Sequence, residues 1–340
     1  METKSSLITR RSSILDGPSS IFIVGAGGIG CAVGYGLLSA GISVVFVEAD
    51  EHKIRWGQRL GVGIDRRPAL PAQFLSFDDW QPPSQATVLL CTKCYDNAQV
   101  LARLPSDVKL VPIQNGFDPA LNGRIHLEGI ASFVSECEVG RPYARITRRG
   151  RLHFGFRPDT TPAVWPSFVA SLQSCSFFQT ELVPNILPFK YSKLMYNAAI
   201  SPLAAAAGLD NGQLLRVPLA RRLFFQLLLE NYTILHDAQI PLGKIGPFHP
   251  DRVAQILRRP WVARAFAWAF YPTLRGTYCS MSGDLPSGRT EIDYYNRHLI
   301  DMAGERPCPL NRRVYDLVKR METERIPPGL ELLKALALDN

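Results

Sequence analysis

The sequence lacks any long apolar run. Its two most hydrophobic stretches, 198–209 and 261–274, are interrupted by Pro202 and by Arg264 and Pro272, so neither reads as a membrane span. Near the start there is no apolar export core behind a basic segment, and the expected location is the cytoplasm. An even, closely spaced cysteine set is also missing. Seven cysteines, at 31, 91, 94, 137, 175, 279 and 308, are scattered and odd in number, which argues for reduced thiols and against a disulfide framework. Cys91 and Cys94 form a CxxC, but no second pair or histidine cluster offers the remaining ligands of a zinc site, so no metal is expected. Charge is not concentrated either. The 38 basic and 30 acidic residues leave a net charge of +8, spread over short groups such as Arg66-Arg67 and Arg148-Arg149-Gly150-Arg151. Nucleic-acid recognition calls for a denser patch or a reading motif, and neither it nor a membrane is expected as a partner. Internal repeats and low-complexity tracts are absent.

What remains is an ordinary globular composition, 46% hydrophobic and 20% charged over 340 residues, long enough for two domains. Residues 1–20 are rich in Ser, Thr and Arg without periodicity and read as a mobile extension. From Ile21 the pattern changes. Ile21-Phe22-Ile23-Val24 is a short strand, a helix-compatible stretch runs to Ala40 with Gly41 as its C-cap, and Val44-Val45-Phe46-Val47 is a second strand ending in Glu48. Further strands are expected at 86–91 and 108–113. Continuously apolar strands alternating with helices indicate a doubly wound, Rossmann-type parallel sheet buried on both faces. Strands and turns over 130–181 close this α/β domain, 21–184. An all-α domain, 185–340, is expected to carry helices at 191–207, 214–236, 252–270, 289–302 and 311–322.

Between the first strand and the helix lies Gly25-Ala26-Gly27-Gly28-Ile29-Gly30. A GxGxxG alone is weak. After a strand, opening a helix and followed by a second strand with an acidic end, it is a dinucleotide fingerprint. Gly25 permits the tight turn, Gly27 lets backbone approach a pyrophosphate, and Gly30 permits close packing of helix on strand. Glu48, 18 residues after Gly30, is placed to accept hydrogen bonds from adenosine ribose hydroxyls and to repel a 2′-phosphate, favouring NAD over NADP. The alternative leaves Glu48 to solvent and gives the phosphate to Lys53 or Arg55.

Four other segments carry polar groups suited to chemistry. Lys93 follows a strand at the end that faces the ligand crevice in open α/β sheets, and Gln114-Asn115-Gly116 follows the next strand. Lys193 and Asn197, four apart, share one helix face among apolar neighbours. Ser280-Met281-Ser282-Gly283-Asp284 precedes Gly288-Arg289-Thr290-Glu291-Ile292-Asp293, whose Glu291 borders the apolar stripe of Ile292, Tyr295, Leu299 and Met302. Each alone has a plain structural reading, as a solvated lysine, a turn or a first-turn acid.

Taken in order, these segments resemble the ketopantoate reductases (2-dehydropantoate 2-reductases) from Ile21 to about Glu322. Pro309-x-Asn311 before the last helix also fits. The resemblance implies a Rossmann domain followed by a helical one, with the active site in the cleft between them. It implies NAD(P)H-dependent reduction of a 2-oxo acid, ketopantoate to pantoate on the way to pantothenate and coenzyme A. Lys193 would then be the general acid, with Glu291 its carboxylate partner. Asn115, Asn197 and Ser280 would hold the substrate, and residues 25–30, Lys93 and Asn115 the cofactor. A homodimer is the family-based expectation. Four positions depart from the family. Ser201-Pro202 stands where Asn-Pro is frequent, so Ser201 takes a substrate-binding place with a shorter donor. Tyr191 replaces a common Trp, Arg297-His298 a usual Gly, and Glu48 the neutral or basic residue suited to NADP, the commoner cofactor. Reduction of another branched 2-oxo acid is therefore an alternative, as is a dinucleotide-binding regulator without turnover.

Overall fold

The computed structural model describes residues 21–158, 160 and 165–337; the extension expected over 1–20 lies outside them. The chain divides into two compact units. The first comprises residues up to Gln114 with Pro119–Ile186, the second Asn115–Asp118 with Leu187 onward.

In the first unit β1 (Ile21–Val24), α1 (Gly28–Ser39), β2 (Val45–Glu48), α2 (Glu51–Leu60), the short β3 (Gly63–Ile64), β4 (Gln73–Ser76), β5 (Thr87–Leu90), α3 (Asn97–Leu101) and β6 (Lys109–Pro112) follow one another. Five of these strands make a sheet in the order β4–β2–β1–β5–β6, parallel throughout. Side chains alternate between its two faces, and both are buried. Ile23, Phe46, Leu89 and Val111 enter one core, and Phe22, Val24, Val45, Val47, Val88 and Leu90 the other. The uninterrupted apolar strands of the sequence have this cause. Gly41, at φ +80°, follows the C-cap Ala40 and turns the chain out of α1. The rest of the unit is β7 (Glu128–Ala131), β8 (Val134–Cys137), β9 (Tyr143–Arg148), β10 (Arg151–Phe156), α4 (Ser167–Leu172) and β11 (Gln179–Asn185). They form two small sheets, β11–β10–β7 and β3–β9–β8.

The second unit is helical: α5 (Leu187–Ala207), α6 (Asn211–Arg216), α7 (Pro218–Asp237), α8 (Pro250–Leu257), α9 (Pro260–Leu274), α10 (Ser280–Asp284), α11 (His298–Ala303), α12 (Pro309–Glu324) and α13 (Leu330–Ala335). Three expected helices differ. The stretch 214–236 is two helices and so is 252–270, because Pro218 and Pro260 each start a new helix and force the preceding residue, Val217 or Arg259, into an extended conformation. The stretch 289–302 opens with a π-helical turn, Asp293–Arg297, before α11. Ile292, Tyr295 and Leu299 of its stripe are buried in the core of this unit, with Met302 packed at its edge. Among the described residues no helix is long and apolar enough to cross a membrane.

Candidate functional site

The order of the parallel sheet reverses between β1 and β5, with β2 and β4 to one side and β6 to the other. Loops at the carboxyl ends of such a pair flank the ligand crevice of a doubly wound sheet, and here they are residues 25–30 and 91–93. Gly25 has φ +95°, and a Cβ there would stand 3.0 Å from the Thr92 nitrogen. A Cβ on Gly30 would lie 2.0 Å from the Gly25 carbonyl oxygen, so the turn and the helix start fit only as glycines. At Gly27 nothing lies within 4 Å of the Cβ position. No side chain caps α1 and no acid occupies its first turn. Its leading N–H groups and the positive end of its dipole form an anion-binding end.

Glu48 does not point to solvent. Its carboxylate accepts hydrogen bonds from the N–H of Ala26 at 2.9 Å, of Ala49 at 2.8 Å and of Asp50 at 3.1 Å. The residue that closes β2 therefore also fixes the glycine loop, and an ionised carboxylate with about four acceptor positions has capacity left. Lys53 lies 3.8 Å from it. Burial works against the Lys53 charge, but Glu48, then Cys137, Cys31 and Asp50, outweigh it and hold the ammonium above its ordinary value. Of the three residues expected to compete for the ribose end, Lys53 thus partners Glu48, while the exposed Arg55 pairs with Glu51 at 3.0 Å.

Beyond β5, Lys93 is half-buried and sits immediately before a 3₁₀ turn, Cys94–Asp96. The buried Gln114 shapes this turn. Its amide donates to the Thr92 carbonyl at 2.9 Å and to Asn97 Oδ1 at 2.7 Å, and accepts from Asn97 Nδ2 at 3.2 Å. Burial pushes the Cys91 thiol up to about 12. Among the described residues no group of His, Cys, Asp and Glu has the arrangement of a metal site.

In the second unit Lys193, Asn197 and Ser201 recur every four residues along α5 and share a face. The first two are half-buried, and Ser201 is buried. Pro202 lies inside this helix and has no N–H to give to the Ala198 carbonyl four residues earlier. Asn296 supplies the missing donor, its Nδ2 lying 2.9 Å from that oxygen. This bond joins the turn after Glu291 to α5 one residue beyond Asn197. Asn296 also donates to Asn311 Oδ1 at 2.9 Å, Asn311 to Asn231 Oδ1 at 2.8 Å, and Asn231 to the Met195 carbonyl at 3.0 Å. A chain of buried amides therefore ties α5, α7 and α12 to the π-helical turn.

Glu291 is 4% exposed, which removes the solvated first-turn reading, and its Oε2 accepts from the Tyr295 hydroxyl at 3.0 Å. Thr290 before it is anchored by Glu322, which accepts from its backbone N–H at 2.8 Å and its hydroxyl at 2.7 Å. Asn115 belongs to this unit with Phe117. The Phe117 N–H donates to the Tyr294 carbonyl at 3.1 Å, and its ring stacks on Tyr191 and His298 at 4.4 and 4.6 Å between centres. Ser280 opens α10 with its side chain exposed, and the Cys279 thiol next to it reaches the Ser201 carbonyl at 3.4 Å. Three segments far apart in sequence, around Phe117, Cys279 and Asn296, thus reach α5.

Sequence reasoning missed Tyr295 and Asn296 as polar contributors. It also missed Lys190, which is fully buried with its ammonium 4.8 Å from the centre of the Phe117 ring. Pro202 signalled that one carbonyl of α5 needed an outside donor, but nothing in the sequence located it.

Two family models match the chain, "Ketopantoate reductase PanE/ApbA" over residues 21–157 and "Ketopantoate reductase PanE/ApbA C terminal" over residues 185–322. A 2-dehydropantoate 2-reductase from Pyrococcus horikoshii is 25% identical over 323 residues, 89% of this chain and 97% of the relative. Among solved structures, a ketopantoate reductase from Ralstonia eutropha has a TM-score of 0.71 at 22% identity, with 90% of this chain and 99% of that chain covered. D-mandelate dehydrogenase, solved with NADH and anilino(oxo)acetate, has a TM-score of 0.73 at 16% identity with the same coverage. At these identities the two structures speak for the fold.

Proposed function

The chain belongs to the ketopantoate reductase family of oxidoreductases, and from that premise we propose that it reduces a 2-oxo acid, 2-dehydropantoate first, to the 2-hydroxy acid with NADH or NADPH. The product pantoate would serve pantothenate and coenzyme A synthesis. The observation that supports this reading is that Lys193, Asn197, Ser201, the buried Glu291, Asn115 and Ser280 all belong to one compact unit, in which the Asn115, Ser280 and Glu291 segments pack on or beside α5.

The glycine loop fits a nicotinamide dinucleotide, with an uncapped helix start for the pyrophosphate and open space over Gly27. When bound, the dinucleotide supplies the hydride. The remaining work falls to side chains. Reduction of a ketone leaves negative charge on oxygen, which a cation with a transferable proton stabilises. Lys193 is that acid, giving a proton from Nζ to the carbonyl oxygen. Glu291, oriented by Tyr295, is its carboxylate partner. Asn115, Asn197, Ser201 and Ser280 offer amides and hydroxyls to the substrate's carboxylate and hydroxyl groups. Glu48 favours NADH by its negative charge.

Oxidation of NADH and NADPH in parallel with 2-dehydropantoate tests the reading, with turnover expected. Lys193→Ala should lower kcat by about 10²–10⁴-fold while dinucleotide affinity is kept. Undiminished turnover in that variant would sink the mechanism. Ser201 favours a second reading, reduction of another branched or bulkier 2-oxo acid, because serine reaches less far than the family's frequent asparagine. A substrate panel with the highest kcat/KM elsewhere would establish it. Tight dinucleotide binding with no turnover on any 2-oxo acid would instead indicate a regulator.

A further inference from the structure

Two thiols meet at the glycine loop. Cys31, near the start of α1, is fully buried, and its Sγ reaches the Ala26 carbonyl oxygen at 3.3 Å. Cys137, the last residue of β8, is half-buried and reaches the same oxygen at 3.4 Å. Both sulfurs thus contact one carbonyl oxygen. β8 lies directly against the loop, since a Cβ on Gly28 would stand 2.8 Å from the Ser135 carbonyl oxygen. Cys137 also lines a cavity of about 730 Å³, with Arg66, Arg67 and Arg145 facing Asp65, Glu136 and Glu138. One sulfur of the pair thus borders a cavity lined by charges of both signs, and the other is sealed from it.

Their acidities divide the same way. The neighbouring Cys31 thiol, with Lys53 nearby, outweighs burial and Glu48 to bring the Cys137 thiol down to about 7. Burial holds Cys31 well above its ordinary value, pushes Cys91 up to about 12 and raises Cys175 to about 11. Thiolates are the oxidisable form, so near neutral pH Cys137 is the favoured target among these four.

We propose that Cys31 and Cys137 are a peroxide-sensitive dithiol that closes to a disulfide at the base of the glycine loop and thereby weakens dinucleotide binding. The Cys137 thiolate attacks one oxygen of hydrogen peroxide. The O–O bond breaks, hydroxide leaves and is protonated to water, and Cys137 becomes a sulfenic acid. The Cys31 sulfur then attacks the Cys137 sulfur, the S–O bond breaks, and the Cys31 proton leaves with the hydroxyl as a second water. Two thiols and one peroxide become one disulfide and two waters, the sulfurs giving up the two electrons the peroxide takes. The new bond ties α1 to β8 and removes both thiols as donors to the Ala26 carbonyl, on the residue whose N–H Glu48 holds. The binding half of the proposal rests on reading this loop as the dinucleotide site; the bond itself does not.

The experiment treats the full chain with hydrogen peroxide, blocks free thiols with iodoacetamide, and maps peptides with and without dithiothreitol beside NADH and NADPH titrations. A Cys31–Cys137 linked peptide is expected, lost on reduction, with both Kd values raised about tenfold, or 1.4 kcal/mol, and restored by dithiothreitol. Cys137→Ser should bind as the reduced protein does and ignore peroxide. Cys31→Ser should stop at a Cys137 sulfenic acid that dimedone traps. Alkylation of Cys137 in the Cys31-containing protein should rise through about pH 7. Peroxide that leaves the pair reduced, or links other cysteines, overturns the proposal, as does a linked protein with unchanged Kd. If the reduced protein binds neither dinucleotide, the site reading falls and the binding half with it, while the peptide map still decides the bond.

Discussion

In the first unit the groups we propose for the dinucleotide phosphates are backbone N–H groups and space kept clear by glycines, within residues 25–30 and braced by Glu48. In the second unit the groups proposed for the substrate are side chains from segments spread between Asn115 and Glu291, several on a helix whose proline break is mended by an amide from elsewhere. A backbone site is rigid because its chain neighbours are fixed, whereas a side-chain site is only as rigid as the packing behind it. Substitutions in the first unit should therefore act through conformation and binding, and those in the second through chemistry or the supporting network.

The largest effect should come from Lys193→Ala, where loss of the proton donor lowers kcat by about 10³-fold and leaves dinucleotide affinity unchanged in equilibrium titration. A comparable fall in affinity would break the division of labour. Next is Gly30→Ala. Its Cβ would lie 2.0 Å from backbone oxygen, and thermal denaturation should show a loss of about 3 kcal/mol together with weakened NADH binding. Asn296→Ala should cost about 1–3 kcal/mol in denaturant unfolding, because it leaves the Ala198 carbonyl buried without its outside donor. Adding Pro202→Ala to that variant supplies an N–H inside the helix and should restore part of the loss. Absence of rescue would mean that Asn296 matters for another reason. The smallest shift belongs to Glu48→Gln, which should move the NADPH-to-NADH ratio of kcat/KM toward NADPH by about tenfold, or 1.4 kcal/mol. No movement would leave Glu48 a brace for the loop and nothing more.

Much of the first unit was legible because its constraints are local. The apolar strands, the glycine spacing and the acid at the end of β2 all lie within 28 residues, from Ile21 to Glu48, and each has a short-range steric or electrostatic reason. Even there, the three N–H groups on Glu48 and the approach of β8 to Gly28 were invisible, since they depend on chain returning from elsewhere. Spacing set Lys193, Asn197 and Ser201 on one helix face, but whether Glu291 was a solvated acid or a buried one was decided by packing. Pro218 and Pro260 were legible breaks that the hydrophobic periodicity obscured.

By itself the sequence determined the parallel sheet, the glycine turn between β1 and α1 and the order of the candidate segments, because periodicity, glycine sterics and helix spacing act over a few residues. Only the tertiary structure decided that Asn296 completes α5, that Tyr295 holds Glu291, and that Cys31 and Cys137 share one carbonyl oxygen. The Asn296 and Cys137 contacts join residues that no local pattern relates, and Tyr295, though four residues from Glu291, meets it as a partner only because packing buries both; each buried polar group finds a partner where the fold brings one within reach.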